Sequence, residues 1–111
     1  MKKKIYQRHD IPESVVNVVI ALCADFPRRN KCLTLNRNVT ETAKERYRQF
    51  NNAITDALQG IEVGLQKIIF NDIVDNRGYG RSGAQIVISK NAYYRRRRKL
   101  IYDIAVLLDL I

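Results

Sequence analysis

From Thr40 to Asp75 the apolar side chains recur every three or four positions: Ala43, Tyr47, Phe50, Ile54, Ala57, Ile61, Leu65 and Ile68. That spacing gathers them on one stripe of an α-helix, and the stripe has to be buried against another element. The same rhythm appears at both ends of the chain. Val15, Val19, Leu22 and Phe26 form a stripe near the start, and Tyr93, Arg97, Leu100, Ile104, Leu107 and Ile111 form another near the end. The β-branched segments Val15 to Ile20 and Ile86 to Ile88 sit inside this rhythm rather than apart from it. The pattern predicts an all-α fold. It is a small helical domain over 1–111, with a helical core over 11–75 and a helix-turn-helix over 81–111.

Local signals set the expected boundaries. Asp10 is a good N-cap, Glu13 follows three residues later as in a capping box, and Pro12 is tolerated in a first turn. A first helix is expected over 11–26. It ends where Phe26 precedes Pro27, because a residue before proline is biased out of the helical region. Residues 28–38 read as a basic connector with a short helical turn around Cys32 to Leu35. Asn38 or Thr40 then caps a second helix, with Glu41 and Glu45 well placed for its dipole. Gly60 and Gly64 interrupt it at a cost of about 1 kcal/mol each against alanine. The apolar phase survives them, so the helix is expected to continue to Asp75. Asn76-Arg77-Gly78-Tyr79-Gly80 reads as a turn, with two glycines available for positive φ.

Composition narrows the function. The chain carries 20 Lys and Arg against 11 Asp and Glu, a net charge of +9 on 111 residues, which points to a polyanionic partner. Nucleic acid is the first candidate and an anionic membrane surface the second. Hydrophobic residues make up 46% of the chain, too many for a disordered polymer. Cys23 and Cys32 lack metal-ligand spacing, and with the lone His9 they assemble no zinc site, so no metal or other cofactor is expected. They read as reduced core thiols. Met1-Lys2-Lys3-Lys4 resembles the basic start of a signal peptide, but no adequate apolar run follows, and Val15 to Cys23 is too short to span a bilayer. A soluble protein of the cytoplasm, with no membrane association, is expected. Asp72 and Asp75 are ordinary surface acids on this reading, and no nucleophile–base pair or glycine-rich phosphate loop is present. No enzymatic activity is expected.

The end of the chain carries the most informative constellation. Ser82 to Ile88 reads as a short helix, followed by a tight turn and a longer helix capped by Ser89. Two helices so joined form a helix-turn-helix, whose second helix enters the major groove of DNA. At about 100° per residue, Tyr93, Arg97, Leu100, Ile104 and Leu107 fall on one side. Asn91, Tyr94, Arg95, Arg98 and Tyr102 fall on the other. Asparagine can pair with adenine, arginine can grip guanine, and the remaining cations can neutralise phosphates. Arg95 and Arg98 are candidates for base or phosphate contacts, Arg96 and Lys99 for the groove flanks. Arg97 is expected to lay its stem over the core with its head outward. Most charge runs are simply solvated faces. Here Arg95 to Lys99 contains no compensating acid and backs onto an apolar seam, which favours nucleic-acid contact. Lys2, Lys3, Lys4 and Arg8 are candidates for a basic arm, and Arg28, Arg29 and Lys31 for further backbone contacts.

Several passages together carry a family resemblance. They are Ile69-Phe70-Asn71-Asp72-Ile73, Gly78-Tyr79, Ile86-Val87-Ile88-Ser89-Lys90 and Tyr93-Tyr94-Arg95-Arg96-Arg97-Arg98-Lys99, with Asp25-Phe26-Pro27-Arg28-Arg29 upstream. In these the chain resembles phage-encoded transcription regulators of the ArpU and RinA type, whose DNA-reading part is similar to region 4 of sigma factors. The resemblance covers about the last 45 residues. It implies that Ser89 caps the recognition helix and that Lys90, Asn91, Tyr94, Arg95 and Arg98 face DNA. It further implies activation of phage late genes in a bacterial host, with RNA polymerase as a partner. The chain departs from the pattern at Ser82, where an apolar residue is usual, and at Val87, where glycine is frequent. Gly83 suits a close approach of helices.

The reading of the sequence is therefore a sequence-specific DNA-binding transcription regulator that contacts double-stranded DNA. Its contact set is Ser89, Lys90, Asn91, Tyr94, Arg95, Arg96, Arg98 and Lys99, and RNA polymerase and a second copy of the chain are candidate partners. Rival readings are a phage DNA-packaging recognition subunit, a basic helical protein–protein adaptor and an RNA-binding helical module.

Overall fold

Pro12 opens the first helix, its carbonyl accepting from the amides of Val15 and Val16, both at 3.0 Å. The computed structural model describes residues 11–35 and 38–111. It contains five α-helices and no strand among them. We number them α1 (Glu13–Ala24), α2 (Phe26–Thr34), α3 (Glu41–Leu58), α4 (Val63–Val74) and α5 (Lys90–Leu107). Two single turns of 3-10 helix, Tyr79–Arg81 and Gly83–Ile86, fill the connection from α4 to α5. The all-α class expected from the apolar rhythm is the observed one. The proposed cap Asp10 and the basic residues Lys2, Lys3, Lys4 and Arg8 lie outside the described residues.

The first helix is shorter than expected, and the basic connector is itself a helix. Asp25 ends α1 and starts α2 in one bend (φ −90°, ψ 0°). Pro27 sits in the first turn of α2, where an amide has no intrahelical acceptor to lose. A proline that should stop a helix here begins one. Arg28 and Arg29 follow it; Arg28 is exposed and paired with Asp25, whereas Arg29 is buried and cannot reach a DNA backbone. Arg28 grips Asp25 through Nε–Oδ1 at 2.7 Å and Nη2–Oδ2 at 2.6 Å. Arg29 is 2% exposed: its Nε donates to Asn51 Oδ1 (2.8 Å), its Nη2 to the Leu22 carbonyl (2.5 Å), and it lies over the Phe50 ring. It thus ties α1, α2 and α3 together. Burial lowers its pKa, with Asp25 opposing that shift.

Thr40 caps α3, its hydroxyl accepting from the Ala43 amide at 3.1 Å. The helix expected to run on to Asp75 breaks at residues 59–62. Three short bonds close the end of α3, from Gln59, Gly60 and Ile61 back to Asp56, Ala57 and Leu58. The side-chain amide of Gln66 then donates to the freed carbonyl of Ile61 (2.9 Å). The apolar phase persisted in the sequence because Ile61, at the break, is itself buried and keeps its place in the core. Periodicity of burial is shared by a straight helix and by two helices folded about a buried hinge.

The core joins Val19 and Cys23 of α1, Ile54 and Ala57 of α3, and Leu65, Ile69 and Ile73 of α4. Tyr93, Leu100, Ile101, Ile104 and Ala105 of α5 complete it, with Ala84 from the second 3-10 turn. α5 packs on α1 and α3, and α4 packs on α1. Burial pushes the Cys23 thiol up to about 12.

The link to α5 differs most from expectation. The short helix expected over Ser82 to Ile88 is one 3-10 turn, and α4 ends fifteen residues before α5 begins. The compact helix–turn–helix with a three- or four-residue turn is therefore not formed. The Ser82 hydroxyl caps the 3-10 turn at the Ala84 amide (3.0 Å), and the Val87 and Ile88 amides both return to the Ala84 carbonyl at 2.9 Å to close it. Nor do the glycines of this link supply the left-handed residue: Asn76 does, at φ 56°. The Asn76 and Arg77 amides return to the carbonyls of Ile73 (3.2 Å) and Asp72 (2.7 Å), closing the end of α4. Gly78 serves close approach, since a Cβ there would stand 3.0 Å from the Tyr94 hydroxyl.

Candidate nucleic-acid interface

α5 begins at Ser89, whose Oγ accepts from the Ala92 amide at 3.2 Å, so the helix starts with its first turn capped. Its inner side is set by Tyr93, Leu100 and Ile104, each fully buried. That anchoring rotates Asn91, Arg95 and Arg98 into solvent on the far side, and Lys90 projects from the first turn. Among the described residues, Lys90, Arg95 and Arg98 take part in no ion pair. No acidic residue lies between Lys90 and Tyr102. The result is a strip of one amide and two guanidinium groups over two helical turns, with an ammonium at its start.

The other predicted residues divide differently. Tyr94 does not join the strip. Its ring stacks edge-on against Tyr93 (centroids 4.9 Å apart), and its hydroxyl accepts from the Tyr79 amide at 3.0 Å. It lies about 100° around the helix from Arg95, which turns it over the 3-10 segment. Arg96 is held by Glu62 through Nε–Oε1 at 2.8 Å and Nη2–Oε2 at 2.6 Å, and its Nη1 donates to the Ala92 carbonyl at 3.1 Å. Glu62 is correspondingly depressed to about 2, chiefly by that hydrogen bonding. Lys99 is paired with Asp103 at 2.6 Å. Arg97 turns its head inward rather than outward, donating to the Tyr93 hydroxyl (2.8 Å) and the Arg77 carbonyl (2.6 Å).

Two features of this surface escaped the sequence. Arg81 is exposed on the first 3-10 turn, which packs against α5, and adds a cation that is unpaired among the described residues. Ile86 and Val87 stand in solvent just ahead of α5, Ile86 at 93% exposure. The sequence places them in a short helix within the helical rhythm, and the 3-10 turn that replaces it leaves them in solvent. Asp72 was read as a surface acid and is 1% exposed, buried beneath α5.

Among the described residues no group of histidine, cysteine and carboxylate side chains is placed to hold a metal, and no helix is long and apolar enough to cross a membrane. No protein-family model, curated protein or solved structure matches the chain.

Proposed function

We propose that this protein binds duplex DNA through the exposed strip of α5 and acts as a transcription regulator. The observation that carries the proposal is the separation of cations on that helix. Arg97 is spent on the fold, while Lys90, Arg95 and Arg98 have no ion-pair partner among the described residues and surround Asn91 on a capped helix. Fixed cations with no neighbouring acid lower the electrostatic cost of approach to phosphates, and Asn91 with Arg95 can address base edges. Ile86 and Val87, next to the helix start, offer apolar contact for thymine methyl groups. The support for α5 is a 3-10 turn rather than a first helix, so the reading is a recognition helix on an irregular base.

The likeness of Ile86 to Lys99 to the ArpU and RinA type of phage regulator extends the proposal to late-gene activation with RNA polymerase. Exposed Val106 and Leu107 at the opposite end of α5 from Asn91, with exposed Ile111 just beyond it, favour a protein contact there, either polymerase or a second copy. The deciding experiment is selection of bound sequences from a random duplex pool at physiological salt, followed by affinity titration across salt concentrations. An enriched motif, and a log–log salt slope of about −4 to −5 for some four to six neutralised phosphates, is expected. Absence of enrichment together with a flat salt response rejects the proposal. Preference for an acidic protein over DNA would favour the adaptor.

A further inference from the structure

Arg95, Arg96 and Lys99 line one shallow cleft, of about 310 Å³, together with Gly60 and Glu62 from the turn between α3 and α4. Arg95 and Arg96 on one turn of α5 and Lys99 on the next thus face one backbone turn of a different element, with Lys99 paired to Asp103 at 2.6 Å and Arg96 to Glu62. Gly60 lets the Lys99–Asp103 pair approach the turn: a Cβ at that position would stand 2.8 Å from the Lys99 ammonium and 3.6 Å from Asp103 Oδ2. Glu62 occupies the cleft with a forked grip, its two oxygens facing Nε and Nη2 of Arg96 at 2.6 to 2.9 Å. A phosphodiester offers the same pair of acceptors to the same two donors. The Arg96 Nη1 bond to the Ala92 carbonyl holds the guanidinium in place without Glu62. The Glu62 side chain is 55% exposed, so solvent screens the pair and displacement costs little.

We propose that this cleft is the seat of one nucleic-acid backbone phosphodiester, and that Glu62 is a built-in competitor that must leave Arg96 when the phosphate arrives. The proposal rests on the DNA-binding reading above and assigns the α3–α4 turn a part in it. The Glu62 carboxylate weakens binding to every sequence alike, because it opposes a backbone contact and not a base contact. It therefore favours sites where base contacts supply the remaining affinity.

The test is a double-mutant cycle on the full chain: parent, Glu62→Gln, Arg96→Ala and the double variant. Each is titrated against a random-sequence duplex at several chloride concentrations, with thermal melting to check folding. Glu62→Gln is expected to tighten binding roughly three- to fivefold and to steepen the salt slope by about one unit. In the Arg96→Ala background the same change should bring no such gain. An equal gain in that background means bulk charge alone acts, and overturns the proposal; so does no gain in the parent. Displacement of duplex by micromolar inorganic phosphate, at ionic strength matched with chloride, would mark a free-phosphate site and overturn it too. If no variant binds duplex even at low salt, the DNA-binding reading falls and this one with it. Binding that ignores Glu62→Gln sinks the cleft alone.

Discussion

Tyr93 donates its hydroxyl to Asp72 Oδ2 at 2.7 Å, and both side chains are buried, at 0% and 1% exposure. The second Asp72 oxygen accepts from Arg77 Nε at 3.1 Å, and Arg97 closes the knot by donating to the Tyr93 hydroxyl and the Arg77 carbonyl. Four residues from α4, its exit loop and α5 share one network, buried at Tyr93 and Asp72 and half-buried at Arg77 and Arg97. It fixes the rotation of α5, and so decides which residues of the arginine run reach solvent. Desolvation raises the Tyr93 pKa, with Asp72 adding to the shift and Arg97 opposing it.

Tyr93→Phe removes the hydroxyl at the centre of this network and leaves Asp72 and Arg97 each short of a partner. A stability loss of about 1–3 kcal/mol is expected in urea unfolding. Asp72→Ala should cost more, because it strips Tyr93 of its acceptor and leaves Arg77 with Asp75 alone of its two carboxylate partners. Parental stability for Tyr93→Phe would mean the knot does not hold α5.

Tyr94→Phe distinguishes a folding residue from a DNA-facing one. Loss of the bond to the Tyr79 amide should lower stability by about 0.5–1.5 kcal/mol. Sequence preference and salt slope of duplex binding should stay at parental values. Unchanged melting with weakened binding would instead put Tyr94 at the interface.

Leu100 and Ile104 are both at 0% exposure between α5 and the helices beneath it. Alanine at either position is expected to cost about 2–4 kcal/mol through lost burial and a residual cavity. Chemical denaturation reads this directly, and variants unfolding at the parental midpoint would exclude these positions from the core.

Glu62 should titrate near 2 rather than at its ordinary 4.5, because Arg96 favours the ionised form. A depressed carboxylate favours the fold above the unfolded-state value, and that contribution fades as pH falls from about 4.5 through about 2. Carboxyl-carbon NMR across this range should give the low midpoint, and Arg96→Ala should return it towards the ordinary value. A normal midpoint in the parent would show that the pair does not persist in solution.

Cys23 is fully buried and its thiol is raised to about 12, whereas Cys32 is partly exposed. An aromatic disulfide reagent near pH 8 should therefore titrate Cys32 promptly and Cys23 only after denaturation. Equal prompt reaction of both would show that the α1 side of the core opens readily.

Much of the helix content was legible because burial at three- and four-residue spacing is a local property. The stripes through Val19, Ile54, Leu65 and Leu100 are core residues in the structure. Thr40 and Ser89 were readable as caps for the same reason, since a hydroxyl reaches amides only three residues on. Where the sequence misled, two structures shared one local pattern. Pro27 can end a helix or sit in the first turn of another, and Ile61 keeps its apolar phase in a straight helix or at a buried hinge. Ile86 and Val87 fit a helical rhythm, yet the 3-10 turn that carries them leaves them in solvent.

The sequence by itself determined that the chain is helical, strongly basic, and carries an uncompensated arginine run opposite an apolar seam. Those are properties of composition and of neighbours a few residues apart. The tertiary structure alone decided which cations are committed. Arg29 meets Asn51, 22 positions away, Arg97 meets the Arg77 carbonyl, 20 away, and Arg96 meets Glu62, 34 away. No local periodicity encodes such pairings, because each depends on how helices pack after the chain has turned. That packing leaves Lys90, Arg95 and Arg98 exposed around Asn91 and unpaired among the described residues, and holds Arg96, Arg97 and Lys99 in bonds to other groups of the fold.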